Sequence, residues 1–523
     1  MKYPNQILQK KSTEFFFLAF CLLFWFITNA DGDPLSGSLQ QGNYGVGFRI
    51  IQTYDYSRVY KGKQGRPMQI AVWYPANVKT PKMKFSEYLE LYLTEESFAK
   101  PTEKQVQENL SMWKKELAGR VEPAADGERI LQAETFGVKN APVANGSFPV
   151  IIYGAGGQGE SFENSCLFEY LASHGYFVLA SPAVGPFEHK TTVDAVGLEA
   201  EARDMEFLIA QAQQFTEADL TRLGVTGWSW GGLSAMLVQM RNPNVDAVLS
   251  LDGSIAMHED KIQTTAFFSP QRVRVPVMFM STRRNVPRVE SFIKKVNYAD
   301  IFLLSFNEIT HSDFSDYGFI ARNFAASLND SDAKKKQIYE LINRYALQFF
   351  NAFLKGEASG KEFLAQSSPQ NDLLAITRKT TLPLPPTQEE FFEMIREKGF
   401  EPAYQIYQEV KKRDADYQIF EPFEITVLAD RLFKAGREED AIKAAKLRVE
   451  AYPDDYLSYE WVANLYFKQK DWKNALQYYG TAYGMALKVR ETPELLEELD
   501  WYRKRIETVK SNFSIQNTEV KTN

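Results

Sequence analysis

Cysteine is almost absent: the chain has two in 523 residues, Cys21 and Cys166. Two thiols build no disulfide framework and leave no room for a cysteine-rich zinc site. Histidine is nearly as scarce, with four copies, so any chemistry that needs an imidazole has only four places to find one. Positive charge is not in excess either. The 60 Lys and Arg against 67 Asp and Glu leave a formal charge of −7, which lacks the basic footprint of a nucleic-acid binder. The glycine-rich stretch Gly154–Gly159 has no lysine after it, so it is no P-loop, and no cofactor or metal is expected. Long apolar runs are lacking too. The one near-continuous run, Phe15–Ile27, is shorter than the roughly 20 residues that span a bilayer.

That run is informative in another way. Lys2, Lys10 and Lys11 precede it and Thr28-Asn29-Ala30-Asp31 follows it, the layout of a secretory signal peptide over residues 1–30. Cleavage near Ala30 would export the protein to a periplasm or the exterior; an uncleaved membrane anchor is the alternative. Cys21 follows Leu18-Ala19-Phe20, and the bulky Phe20 makes a poor lipoprotein box. Loss of the leader takes away three lysines and Glu14, lowers the charge from −7 to −9, and leaves Cys166 alone. An exported chain with one cysteine carries no internal disulfide.

From residue 42 to 358, strand-like apolar runs alternate with helical stretches. The runs are Met68–Tyr74, Phe148–Tyr153, Phe177–Ser181, Gly224–Trp228, Ala247–Leu251, Val275–Met280 and Ala299–Leu304. They lack polar alternation, as strands buried on both faces should, and predict a mostly parallel sheet with helices on both sides. Between the first and second runs, residues 81–145 form a polar, helical insertion in which Val106, Leu110, Trp113 and Leu117 recur at helical spacing. It is either a packed surface element or a lid over a pocket. Residues 359–390, with Ser367-Ser368-Pro369 and Leu384-Pro385-Pro386, read as a linker. After it, Leu428, Ala429, Gly436 and Ala441 recur 34 positions later as Val462, Ala463, Lys470 and Ala475. This period resembles the tetratricopeptide repeat over 391–511, with two clear units and a degenerate one before them. Residues 512–523 read as a disordered tail.

Gly227-Trp228-Ser229-Trp230-Gly231-Gly232 fits G-x-S-x-G, and it stands between a buried strand and a helical stretch beginning at Leu233. Strand, sharp turn and helix make a nucleophile elbow, with Ser229 as nucleophile and the Trp230 N–H aimed at a developing oxyanion. A serine hydroxyl needs a base. Of the four histidines, His174 ends a helix, His189 precedes the serine, and His258 sits in a polar loop. His311, in Thr310-His311-Ser312-Asp313 after the last strand, is best placed, with His258 and His189 the alternatives. For the acid, the penultimate strand ends in Ser281-Thr282-Arg283-Arg284, without a carboxylate. The strand before it ends in Asp252-Gly253, so Asp252 is the candidate, its alternative role being that of an ordinary turn residue. The second oxyanion donor is expected from the loop after Tyr153, with Gly156 chosen and its neighbours one position away left open.

The stretches Arg66–Pro75, Leu171–Tyr176, Glu188-His189, Arg203–Phe207, Gly227–Gly232 and His311–Asp316, with Asp252 23 positions after Ser229, resemble the secreted platelet-activating factor acetylhydrolases. The wider dienelactone-hydrolase-like group is also similar, though its nucleophile is typically cysteine. The resemblance implies an α/β-hydrolase fold, a Ser229, Asp252, His311 triad and hydrolysis of short or oxidised acyl chains from phospholipids. It departs at Tyr153-Gly154-Ala155-Gly156, where the family has Ser-His-Gly, and in its helical tail. The expectation is an exported serine esterase acting on a small ester or lipid, with peripheral membrane contact and a protein partner for the repeats. The alternatives are an inactive scaffold that acts through its repeats, and a serine hydrolase of amide or peptide bonds.

Overall fold

The computed structural model describes residues 35–255, 257–258, 265–266, 268–366, 372–415, 417–489 and 493–522. The expected leader, residues 1–30, lies outside them. The chain divides into two compact units, Met1–Leu382 and Pro383–Asn523.

The first unit is built on one ten-stranded sheet. Its strands are β1 (Gly45–Tyr60), β2 (Lys63–Ala76), β3 (Gly137–Lys139), β4 (Phe148–Gly154), β5 (Phe177–Ser181), β6 (Ala218–Trp228), β7 (Val245–Leu251), β8 (Val277–Thr282), β9 (Ile301–Phe306) and β10 (Leu374–Lys379). Their order is β10-β9-β8-β7-β6-β4-β5-β2-β1-β3. From β5 to β9 all neighbours are parallel, whereas β2 on β5, β1 on β2 and β10 on β9 are antiparallel. With its helices on both faces, this is the α/β-hydrolase fold.

Strand β4 shows why the sequence folds this way. All seven of its residues are buried, and successive side chains point to opposite faces. Ile151 and Tyr153 join one apolar layer with Phe168 and Phe350; Val150 and Ile152 join the other with Leu198, Met205 and Leu233. The helices Ser165–Ser173 and Asp330–Phe353 cover the first face, and Ala195–Ala212 and Trp230–Arg241 the second.

The seven apolar runs correspond to β2 and β4–β9. Three strands were not anticipated. Strand β1 is continuously buried only over Gly45–Phe48; beyond it, apart from Asp55 and Tyr60, its residues are half-buried or exposed, as those of an outer ribbon should be. It turns into β2 through Lys61 and Gly62, both at positive φ, a tight hairpin turn. The expected linker is a correction: residues 358–365 are helical and 374–379 form β10, an edge strand with one buried residue, Leu374.

The second unit is all helical among the described residues. Helices start at Gln388, Pro422 and Tyr456, at intervals of 34 residues, and those at Glu438 and Trp472 keep the same interval. Ala429, Ala441, Ala463 and Ala475 are buried, where small side chains let helices approach closely. The last helix runs from Pro493 to Thr522, so the expected disordered tail is helical almost to its end.

Candidate active site

Strand β6 ends at Trp228 and the helix Trp230–Arg241 begins two residues later, with Ser229 between them at φ 54, ψ −118. A non-glycine residue in this region is strained, and its neighbours must enforce it. Two contacts do so: the Ser229 N–H donates to the Leu251 carbonyl at 3.1 Å, and Ser229 accepts from the Ser254 N–H at 2.9 Å. The flanking glycines are obligatory, because a Cβ on Gly227 would lie 2.4 Å from the Gly231 carbonyl carbon and one on Gly231 would lie 2.0 Å from the Gly154 oxygen. Trp230 opens the helix, where a backbone N–H has no acceptor within the helix.

Asp252 follows β7, the strand next to β6, and is 2% exposed. Its Oδ2 lies 2.7 Å from His311 Nδ1. Oδ1 accepts from Ser281 Oγ and the Thr282 N–H, each at 3.0 Å, and Asn285 Nδ2 reaches both oxygens at 3.1 and 3.2 Å. Burial opposes ionisation of this carboxyl, but the bonds from His311, Thr282 and Asn285 outweigh it and hold Asp252 below the usual carboxylate value. The β8 end, which offers no acid, thus supplies donors to the acid on β7.

His311 opens a short 3-10 turn, His311–Phe314, after β9. Asp313 closes that turn on the Thr310 N–H at 2.8 Å and is itself held by Arg322 at 2.8 Å. Trp228, the residue before the serine, donates its indole Nε1–H to the His311 carbonyl at 3.0 Å. The structure therefore bonds His311 to Asp252 on one side and to the serine's neighbour on the other.

The other histidines have different surroundings. His174 Nδ1 lies 2.8 Å from the Tyr170 carbonyl, and burial lowers its pKa. His189 lies 3.7 Å from Glu95 and 3.9 Å from Glu96. The His258 ring packs 5.8 Å from the Trp230 ring.

Gly156 is a correction. Its N–H donates to Glu163 Oε1 at 2.7 Å and is not free for an oxyanion. The Ala155 N–H lies near the Glu201 carboxyl, the Gln158 N–H goes to Thr191 Oγ1 at 2.9 Å, and the Gly159 N–H to the Gly156 carbonyl at 2.8 Å. Among the described residues, the N–H groups of Gly156, Gln158 and Gly159 each have an acceptor at hydrogen-bond distance, whereas that of Gly157 has none. Gly157 lies beside the elbow: a Cβ added to it would meet Thr191 Cγ2 at 3.7 Å and Trp230 Cβ at 4.0 Å.

A cleft of about 710 Å³ opens beside this loop, walled by Tyr92, Trp113, Trp228 and Tyr317, with Gly157 and Glu160 on its floor. Trp113 belongs to the helix Glu103–Ala118 of the insertion and packs on Tyr317 and Phe162, with ring centroids 5.4 and 5.9 Å apart. The insertion is therefore a packed element and also a wall of the cleft. A second hollow of about 400 Å³ includes His311, Arg284, Asn285 and Arg288.

Sequence reasoning missed Asn285, Glu163, Glu201 and the bond made by Trp228. None belongs to a recognised local pattern: Glu163 lies seven residues beyond Gly156, and the others act across stretches of chain remote in sequence. Among the described residues there is no group of three or more His, Cys, Asp or Glu fit to hold a metal ion, and no helix is long and apolar enough to cross a membrane.

A family model described as Chlorophyllase matches residues 132–321. That stretch contains the Gly154–Gly159 loop, Ser229, Asp252 and His311, and the family is one of α/β-hydrolase esterases. Among solved structures, the chain is similar to a ferulic acid esterase from Streptomyces cinnamoneus, at 19% identity and TM-score 0.49, over 65% of this chain and 98% of that one. No curated protein matches the chain.

Proposed function

We propose that the protein is a serine esterase of carboxylic esters. The observation that carries the reading is Ser229 held at a strained elbow while His311, bonded to the buried Asp252, is tied to the residue next to it. The Chlorophyllase match over the same residues supports ester chemistry.

In this reading Asp252 accepts a hydrogen bond from His311 Nδ1–H, which fixes the tautomer whose Nε2 is unprotonated and basic. Nε2 takes the Ser229 proton as Oγ attacks the ester carbonyl. The Trp230 and Gly157 N–H groups receive the negative charge that develops on the carbonyl oxygen. His311 then protonates the leaving alcohol, and water, deprotonated by the same nitrogen, releases the acid from Ser229. The cleft beside Gly157 offers an apolar acyl group the aromatic rings of Tyr92, Trp113, Trp228 and Tyr317. Phospholipids with short acyl chains are one candidate substrate, as the sequence resemblance implies, and amides or peptides the same-class alternative. Export on a cleaved leader and partner binding by tetratricopeptide-like repeats belong to the same proposal.

The test is hydrolysis of p-nitrophenyl esters of graded chain length by wild type and Ser229→Ala. Turnover in wild type only, with fluorophosphonate labelling that disappears in the variant, is the expected result. Undiminished turnover in Ser229→Ala would overturn the mechanism.

A further inference from the structure

The loop that faces Ser229 is clamped from below by two buried carboxyl groups, one from each helical layer. Glu163, 1% exposed, precedes the helix Ser165–Ser173 and takes the Gly156 N–H at 2.7 Å; Glu201, 5% exposed, lies in the helix Ala195–Ala212 with its carboxyl near the Ala155 N–H. Two consecutive N–H groups are thus turned inward, and the next one, on Gly157, has no acceptor.

Each clamp is itself fixed. Tyr153 donates its hydroxyl to the same Glu163 Oε1 at 2.8 Å, Asn164 Nδ2 donates to the Tyr153 oxygen at 2.8 Å, and Tyr339 donates to Asn164 Oδ1 at 3.0 Å. The Glu163 carbonyl accepts from the Asp316 N–H at 3.0 Å, which ties the clamp to the segment carrying His311. Glu201 sits beside Asp204, which Arg66 holds at 2.8 and 2.5 Å and Arg58 at 2.6 Å. Structural support alone would be met by any buried acceptor, but two acidic groups so close to a developing oxyanion raise a question of charge. An ionised carboxylate there would oppose the reaction.

We infer that Glu163 and Glu201 are positioning residues that shape the oxyanion loop, turning the Gly157 N–H toward Ser229. The inference rests on the esterase reading. The electrostatics agree with it. Burial pushes the Glu163 carboxyl well above its usual value, against the lowering by Gly156 and Tyr153 and with Glu160 and Glu201 raising it further. Burial and then Asp204 push Glu201 up to about 8, against the pull of Arg66 and Arg58. Both carboxyls therefore sit by the loop at neutral pH without placing a full negative charge under the oxyanion.

Removing one oxyanion donor costs about 10²–10³ in kcat, and misplacing one should approach that. Glu163→Ala is expected to lower kcat on p-nitrophenyl butyrate about 100-fold with KM within about threefold. Affinity for a boronic acid that mimics the tetrahedral state should fall in step with kcat. Glu163→Gln keeps the Oε1 acceptor and is uncharged, so its kcat should stay within about threefold of wild type. Thermal melts report whether each variant folds. Should Glu163→Ala fail to fold, Tyr153→Phe removes a bond that orients Oε1 and should lower kcat about fivefold. A folded Glu163→Ala with wild-type kcat overturns the inference, as does a Glu163→Gln that loses as much as Glu163→Ala. Wild-type turnover that Ser229→Ala abolishes, beside an equally active Glu163→Ala, sinks this inference alone; a wild type without ester turnover sinks the esterase reading and this inference together.

Discussion

Trp228 and His311 are joined twice. The Trp228 indole Nε1–H donates to the His311 carbonyl at 3.0 Å, and the two rings lie 5.1 Å apart at a tilt of 32°. Because Trp228 ends the strand that presents Ser229, Ser229 and His311, the proposed nucleophile and base, share one anchor. Trp228→Phe keeps most of the ring and deletes the donor. A hydrogen bond of this kind is worth about 0.5–1.5 kcal/mol, so kcat should fall about three- to tenfold with little change in melting temperature. Steady-state kinetics on a short p-nitrophenyl ester checks it.

The same indole limits what the oxyanion loop can carry. A Cβ on Gly156 would come 2.7 Å from the Trp228 ring, inside contact distance, whereas one on Gly157 meets nothing closer than 3.7 Å. Gly156→Ala should push Trp228 aside, cost about 1–3 kcal/mol of stability by overpacking and lower kcat more than tenfold. Gly157→Ala should fold with nearly the wild-type melting temperature and lose less activity. Parallel melts and kinetics on the pair decide it, and equal losses would speak against the contact.

How much of this was legible follows from where each signal resides. The strands β4–β9 are readable because both of their faces are apolar; β1 and β10 are not, because an outer ribbon and an edge strand look like polar loop. Ser229 and Trp230 announce themselves through neighbouring glycines that the backbone contacts require. His311 and Asp252 follow from position, a loop after the last strand and the end of β7, and the structure joins them at 2.7 Å. The choice between Gly156 and Gly157 could not be read locally. It depends on Glu163, seven residues on, taking the Gly156 N–H, and on Glu201 reaching the loop from the opposite helical layer.

Asp252 is bonded to His311, Ser281, Thr282 and Asn285 at once, so its replacement separates orientation from packing. Asp252→Asn is nearly isosteric but presents an amide where His311 Nδ1–H needs an acceptor. The imidazole then favours the tautomer that cannot serve as base, and kcat should drop by about three to four orders of magnitude. KM should change little. A variant that retains a tenth of the wild-type kcat would argue against Asp252 as the orienting acid.

Asp316 gives a pH dependence whose sign can be worked out. It is fully buried, its Oδ2 accepting from Ser165 Oγ at 2.8 Å and the Cys166 N–H at 2.9 Å. Burial outweighs those bonds and raises the carboxyl from 3.8 to about 7. A folded-state value above the unfolded one means that the folded chain holds a proton the unfolded chain has lost. The associated stability is complete below about pH 4 and disappears as pH rises to about 7, at about 1.4 kcal/mol per unit. Asp316→Asn retains an acceptor for Ser165 and Cys166 and cannot ionise. Between pH 4 and 7 the variant should therefore gain on wild type by on the order of a few kcal/mol, read as urea midpoints measured on both at each pH. Other titrating groups act equally in the two chains and cancel in the difference. Parallel pH profiles for the two proteins would mean that the folded Asp316 ionises as readily as the unfolded one.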